Sequence, residues 1–144
     1  MNLGFSPNKF DLTEVKYSNN DVKNNVSIPS LMTKELAEFI GIIVGDGHVG
    51  KYEGHSKNKS FTHYEIGIFG NIRDEKYYKE YVAKLFFILF NIQVHIRMDL
   101  KHNVIILRKD SKALYYFLHC IIGIPQRKDN VTIPRCILDG ILEI

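Results

Sequence analysis

The sequence predicts an α+β domain. Its element order is helix, strand, strand, helix, strand, strand, helix (αββαββα), with the helices on one face of an antiparallel four-stranded sheet. Three observations carry this. Residues 93–101, "QVHIRMDLK", alternate Val94, Ile96, Met98 and Leu100 with Gln93, His95, Arg97, Asp99 and Lys101, the period of a half-buried strand. Residues 33–45 and 71–90 repeat apolar side chains at helical spacing. The 144 residues are 45% hydrophobic and 24% charged, which suits one domain with a real core.

Residues 1–30 are polar, Asn-rich and weakly periodic, and "KYSNNDVKNNVSIPS" reads as a loose arm or linker ahead of a single domain at 31–144. Thr33 suits a helix N-cap, with Glu35 in the first turn. Leu36, Phe39, Ile40 and Ile43 then mark one apolar face, while Ala37, Gly41 and Gly45 form a second stripe of small residues four apart. Each glycine costs about 1 kcal/mol relative to Ala inside a helix, so two of them imply a gain from close approach, here of a partner helix. "HVGKYE" and "SFTHYEIGIF" read as two strands joined by a loop, "GHSKNKS". In "NIRDEKYYKEYVAKLFFILF" the apolar face is Tyr78, Tyr81, Val82, Leu85, Phe86 and Leu89. After the third strand, His102-Asn103 makes a turn and "VIILRK" returns as the fourth. "SKALYYFLHCIIG" is a helix starting near Ser111 and capped by Gly123. A loop, "IPQRKDNVTIP", and a short final helix, "RCILDGILEI", follow.

The formal net charge is only +3, yet residues 48–109 hold eleven Lys/Arg against six Asp/Glu, an excess of five. That excess exceeds the net charge of the whole chain, so the rest is slightly acidic. A sheet face rich in Lys, Arg, His, Asn and Gln suits a DNA groove, where such side chains reach phosphates and base edges. Cys120 and Cys136 form no Cys-x-x-Cys pair, and both read as reduced and buried. No signal peptide and no apolar run of bilayer length is visible. The expected compartment is the cytoplasm, at the nucleoid in a prokaryote, with no membrane association. The five histidines of 48–109 lack metal-ligand spacing, so zinc is not expected.

The stretch "FIGIIVGDG", residues 39–47, resembles the signature of the LAGLIDADG homing endonucleases. Gly41 matches its first glycine, Gly45 its small residue and Asp46-Gly47 its closing Asp-Gly. The strand "HVGKY", the segment "IGIFGNIRDEKYYKEY" and the loop "GIPQRKDNVTIP" resemble the surroundings found in the archaeal and intein-type branch. The likeness spans roughly residues 33–137.

The resemblance implies a site-specific, metal-dependent double-strand DNA endonuclease. The small-residue helix, residues 36–46, would pack through Ala37, Gly41 and Gly45 against its twin, bringing two acidic side chains together. Asp46, with Gly47 beside it, would be the metal-holding position, for Mg²⁺ or another divalent cation. Lys128 would be the basic residue near the scissile phosphate, with Arg127 as the alternative. Contacts to double-stranded DNA are expected by region and charge from Lys51, Tyr52, Lys57, Lys59, His63, His95, Arg97, Lys101, Arg108 and Arg127. The signature's first acidic position is Val44 here, so Asp46 is the only carboxylate of the motif. With one motif, the resemblance implies a homodimer on a near-palindromic site or half of a two-repeat enzyme. The competing reading is a catalytically inactive DNA- or RNA-binding module, a regulator or splicing helper. Taken singly the signals are ordinary: Asp-Gly commonly ends a helix, a small-residue stripe can pack on its own sheet, and a loop lysine is usually solvated.

Overall fold

In the computed structural model, residues 9–126 are described. The elements, in chain order, are α1 (Asn19–Lys23), α2 (Lys34–Asp46), β1 (Gly47–Ser56), β2 (Lys59–Asn71), α3 (Ala83–Phe90), β3 (His95–Asp99), β4 (Val104–Asp110) and α4 (Lys112–Tyr116). A 3-10 turn, Ile72–Asp74, and a π-helical stretch, Tyr77–Val82, lead into α3; a second π-helical stretch, Phe117–Ile122, extends α4. The sheet is antiparallel throughout, in the order β1-β2-β4-β3. The predicted α+β architecture and four-stranded antiparallel sheet are those observed.

α2 starts where the sequence places it. The Thr33 side chain accepts from the Leu36 backbone N–H at 3.1 Å, satisfying a donor the helix itself cannot. Its apolar face is fully buried. Phe39 meets Phe86 and Phe90 edge-on, at centroid distances of 4.9 and 5.0 Å. Ile66, Ile68, Ile105 and Leu107 cover the same core from the sheet. At the far end, Ser111 caps α4 and Gly123 closes its π-helical extension with φ +95°, the left-handed conformation.

The β1–β2 hairpin is longer than expected. Where the sequence suggests a seven-residue loop, both strands continue to a two-residue turn, Lys57-Asn58, with φ of +47° and +68°. Two consecutive positive φ values match the twist of a hairpin. The signal was weak because neither position is the customary glycine.

β3 is shorter than its alternation suggests. Val94 and Ile96 are partly buried, but Met98 is 40% and Leu100 74% exposed. β3 is an outer strand, and Leu100 lies in the turn beyond its end. Cys120, expected to be buried, is exposed. Cys136 and the predicted final helix lie outside the described residues.

The arm expected to be loose is folded from residue 9 onward. Phe10 packs edge-on against Phe117 at 5.4 Å, and Val26 joins the core. Ser18 and Asp21 cap α1 reciprocally. The buried Asp21 carboxylate also accepts from the Ser111 hydroxyl at 2.8 Å and the Ala113 N–H at 2.9 Å. One side chain thus ties the arm to the start of α4. Periodicity could not show this, since the contacts span some ninety residues of sequence.

Asp21→Ala would strand three donors, those of Ser18, Ser111 and Ala113. Each lost charge-assisted bond is worth about 1.5–3 kcal/mol, and partial rehydration limits the sum. Urea unfolding should show a loss of about 3 kcal/mol; an unchanged midpoint would mean that the arm is not part of the cooperative unit.

Candidate nucleic-acid interface and acidic centre

α2 runs into β1 without a loop, and that junction places Asp46. Gly47 follows with φ −121° and ψ −175°, extended rather than left-handed, while its N–H donates to the Ile43 carbonyl. Glycine is required here by proximity. A Cβ at Gly47 would lie 2.7 Å from the Gly67 carbonyl oxygen and 3.0 Å from the Ile43 Cα. The helix end is therefore pressed against the hairpin, and Asp46, the last helical residue, is left exposed.

Asp46 opens onto a cleft of about 710 Å³ lined also by Asn71, Asp74, Tyr78, His102 and Asn103. Tyr78 is otherwise buried. Burial first, then the Asp46 charge, pushes its hydroxyl above the ordinary tyrosine range. Among the described residues no group of three or more His, Cys, Asp or Glu is arranged to hold a metal ion. Besides Asp46, the cleft lining carries one further carboxylate, Asp74, among the amide, phenol and imidazole side chains of Asn71, Asn103, Tyr78 and His102.

The small-residue stripe does not pack on its own sheet. Gly41 and Gly45 are exposed, and a Cβ at either would meet nothing within 4 Å. They lie on the side of α2 opposite Leu36, Phe39, Ile40 and Ile43. Ala37 is partly buried at the margin. Beside the stripe, the Tyr81 hydroxyl donates to Glu38 at 2.6 Å, and this bond pushes the phenol up to about 12.

The sheet has one face under the helices and one open. The strand registers put His48, Tyr52, Lys59, Phe61, His63, Glu65, Phe69, His95, Arg97, Arg108 and Asp110 on the open face. Of the expected DNA contacts, Tyr52, Lys59, His63, His95, Arg97 and Arg108 are there. Lys57 sits in the hairpin turn and Lys101 in the β3–β4 turn. Lys51 lies on the other face, toward the helices, with its Nζ 5.9 Å from the Tyr64 ring centroid. In β1 it stands one residue out of phase with His48 and Tyr52. Arg127 and Lys128 lie outside the described residues.

The open face is less uniformly basic than the residue count suggests. Glu65 Oε1 lies 2.9 Å from His48 Nε2 and 3.4 Å from Arg108 Nε. His48 also stacks on Phe69 at 5.3 Å. Asp110 is 3.7 Å from His63, and Asp99 is 2.8 Å from His102. The hydrogen bond from His102 holds the Asp99 carboxyl below its ordinary range. The sequence contained these residues, but their pairing depends on registers between distant strands. Among the described residues no helix is long and apolar enough to cross a membrane.

No family model matches the sequence, and no curated protein matches it. Solved structures do. I-DmoI in complex with DNA and calcium is 29% identical, with a TM-score of 0.46; the match covers 58% of this chain and 43% of that one. The homing endonuclease I-TnaI is 17% identical, with a TM-score of 0.43, over 62% of this chain and 61% of that one. The meganuclease I-SmaMI bound to DNA is 14% identical, with a TM-score of 0.44, over 66% and 35%. The solved structures to which this chain is similar are thus homing endonucleases, and it spans less than half the length of the I-DmoI chain.

Proposed function

We propose that this chain is a DNA-binding endonuclease domain that works as a pair, with α2 packed against α2 of a second copy. The observation that carries the reading is the open stripe of Gly41 and Gly45 ending in the exposed Asp46. An uncovered glycine inside a helix, as at Gly41, costs about 1 kcal/mol relative to Ala, and neither Gly41 nor Gly45 is approached by a described neighbour that would require it. Against a twin helix the pair allows an approach closer than the usual 8–10 Å between axes, and it sets two Asp46 carboxylates side by side.

Each copy's Asp46 would help hold a divalent cation. When bound, that cation supplies Lewis acidity at the phosphodiester oxygens. Tyr78 lines the same cleft as Asp46 and places a phenol hydroxyl near the carboxylate. The open sheet face would lie along the duplex, with Arg97, Arg108 and Lys59 meeting phosphates and base edges. A two-fold pair presents the same face twice, which suits a near-palindromic target. Lys128 keeps the role the sequence resemblance implies, a charge near the scissile phosphate.

Two sets of variants test this. A Cβ at Gly45 or Gly41 meets no described atom within 4 Å, so Gly45→Leu and Gly41→Leu start from open space. Their unfolding midpoints should equal or exceed the wild-type value, while the mass from light scattering falls from dimer to monomer. A variant that remains a dimer would remove α2 from the interface. Asp46→Asn should retain duplex binding, with its steep salt dependence, and lose cleavage by about 10²–10³-fold, as expected for losing several kcal/mol of metal-derived stabilisation. Randomised near-palindromic duplexes with Mg²⁺ supply the substrate. Undiminished cutting by that variant would exclude Asp46 from the chemistry, and duplex binding without wild-type cutting would favour the inactive module.

A further inference from the structure

The β1–β2 hairpin outruns the rest of the sheet. β4 pairs with β2 only from Glu65 to Asn71, so residues 51–64 continue as a two-stranded ribbon. On the ribbon's open face Tyr52 stands opposite His63, and Phe61 stands opposite Gly54. The Phe61 and His63 rings meet at 4.9 Å and 66°. Tyr52 is 51% and Phe61 43% exposed, and His63 is exposed as well. Three neighbouring rings on a projecting ribbon form an apolar surface with no cover from the chain's described residues.

The backbone beneath is shaped for those rings. A Cβ at Gly50 would lie 2.7 Å from Tyr52 ring atoms, and one at Gly54 would lie 2.4 Å from the Phe61 ring. Both rings lean down over a glycine and occupy the space a side chain would take. Held there, they have little rotamer freedom left to lose on binding. Lys57 and Lys59 stand at the tip. With Lys51 on the reverse side and Glu53 as its only carboxylate, the ribbon carries three positive charges against one negative, a net of +2.

Rings and edges recognise different things. A duplex groove presents base edges, read by hydrogen-bonding side chains. Its base faces are hidden by stacking and become available only when a strand is unpaired. Two aromatic rings and a histidine offer π-faces, with few donors and acceptors, beside lysines placed for a phosphate backbone. We infer that residues 51–64 form a stacking platform for unpaired bases, so that the ribbon binds single-stranded nucleic acid, with phosphates at Lys57 and Lys59. This goes beyond the duplex reading and shares no step with cleavage.

Fluorescence anisotropy of the full chain with labelled 12-mers of thymidine and of uridine, and with a 12-base-pair duplex, tests it. Both single strands should bind, and a 2-aminopurine in the strand should change intensity on binding. If one sugar type binds better, the preferred 12-mer names the source. Tyr52→Leu and Phe61→Leu keep apolar area but remove the π-face. Each should weaken single-strand binding about 5- to 100-fold, the range for one lost base–aromatic stack, and duplex binding by a clearly smaller factor. Tyr52→Phe should keep wild-type affinity, and unfolding midpoints establish that every variant is folded. Absence of single-strand binding, leucine variants that bind as well as wild type, or an equal loss on the duplex would each overturn the platform. None of these results bears on whether Asp46 acts in a dimer.

Discussion

The contact on which the rest depends is the one between the end of α2 and the base of the hairpin, at Gly47. There a helix becomes a strand with no intervening loop, and there is no space for a Cβ between the Gly67 carbonyl and the last turn of the helix. The consequences run in both directions. Upstream, the helix lies flat on the sheet with Phe39, Ile40 and Ile43 buried, so the opposite side, with its two glycines, faces outward. Downstream, β1 leaves in a fixed register, which puts His48 and Tyr52 on the open sheet face. Asp46 sits at the hinge of these two surfaces, one suited to a second helix and one to nucleic acid. A single steric constraint thereby sets the carboxylate's position relative to both.

Much of this was legible from residue types and spacing. Thr33, Leu36, Phe39, Ile40, Ile43, Ser111 and Gly123 declare helix ends and a buried face through local chemistry, and they occur where expected. What escaped notice depends on contacts far apart in the chain. Asp21 looks like one more polar residue in an Asn-rich stretch until Ser111 and Ala113 are brought beside it. The apolar residues of that stretch, Phe10, Leu12, Val15, Val26 and Ile28, follow neither a period of two nor of 3.6, because they fill gaps around an existing core. The face taken by Lys51 is hidden from the sequence for a related reason. Charge marks a residue as exposed, but a strand has two sides, and only its pairing with Tyr64 reveals which side Lys51 takes.

The same limit applies to the charge of the sheet. A count of Lys and Arg makes the open face a positive surface, whereas the structure shows carboxylates distributed over it, each matched to a histidine or arginine. Such pairing suits discrimination more than raw attraction. An arginine already held by Glu65 would exchange one partner for another on meeting a base, so its net gain would be small unless the new geometry were good. Arg97 has no ion pair of this kind among the described residues and would be available for sequence-independent attraction to phosphate.

These features divide the sheet's length into two regimes. Near the helix junction, Glu65, His48 and Arg108 form a polar, tightly paired patch beside Phe69, close to where Asp46 emerges. Toward the hairpin tip, pairing with β4 has ended, the glycines under Tyr52 and Phe61 let rings lie low, and lysines replace carboxylates. A rigid duplex laid along the whole face would meet directional hydrogen-bonding groups at one end and π-surface at the other. The difference follows from support. Where β4 flanks β2, Glu65 finds partners on both sides, His48 on β1 and Arg108 on β4, whereas beyond Glu65 the ribbon has no third strand and rings lie over its glycines instead. The chemistry available at each end of the surface is thus a consequence of how many strands lie beneath it.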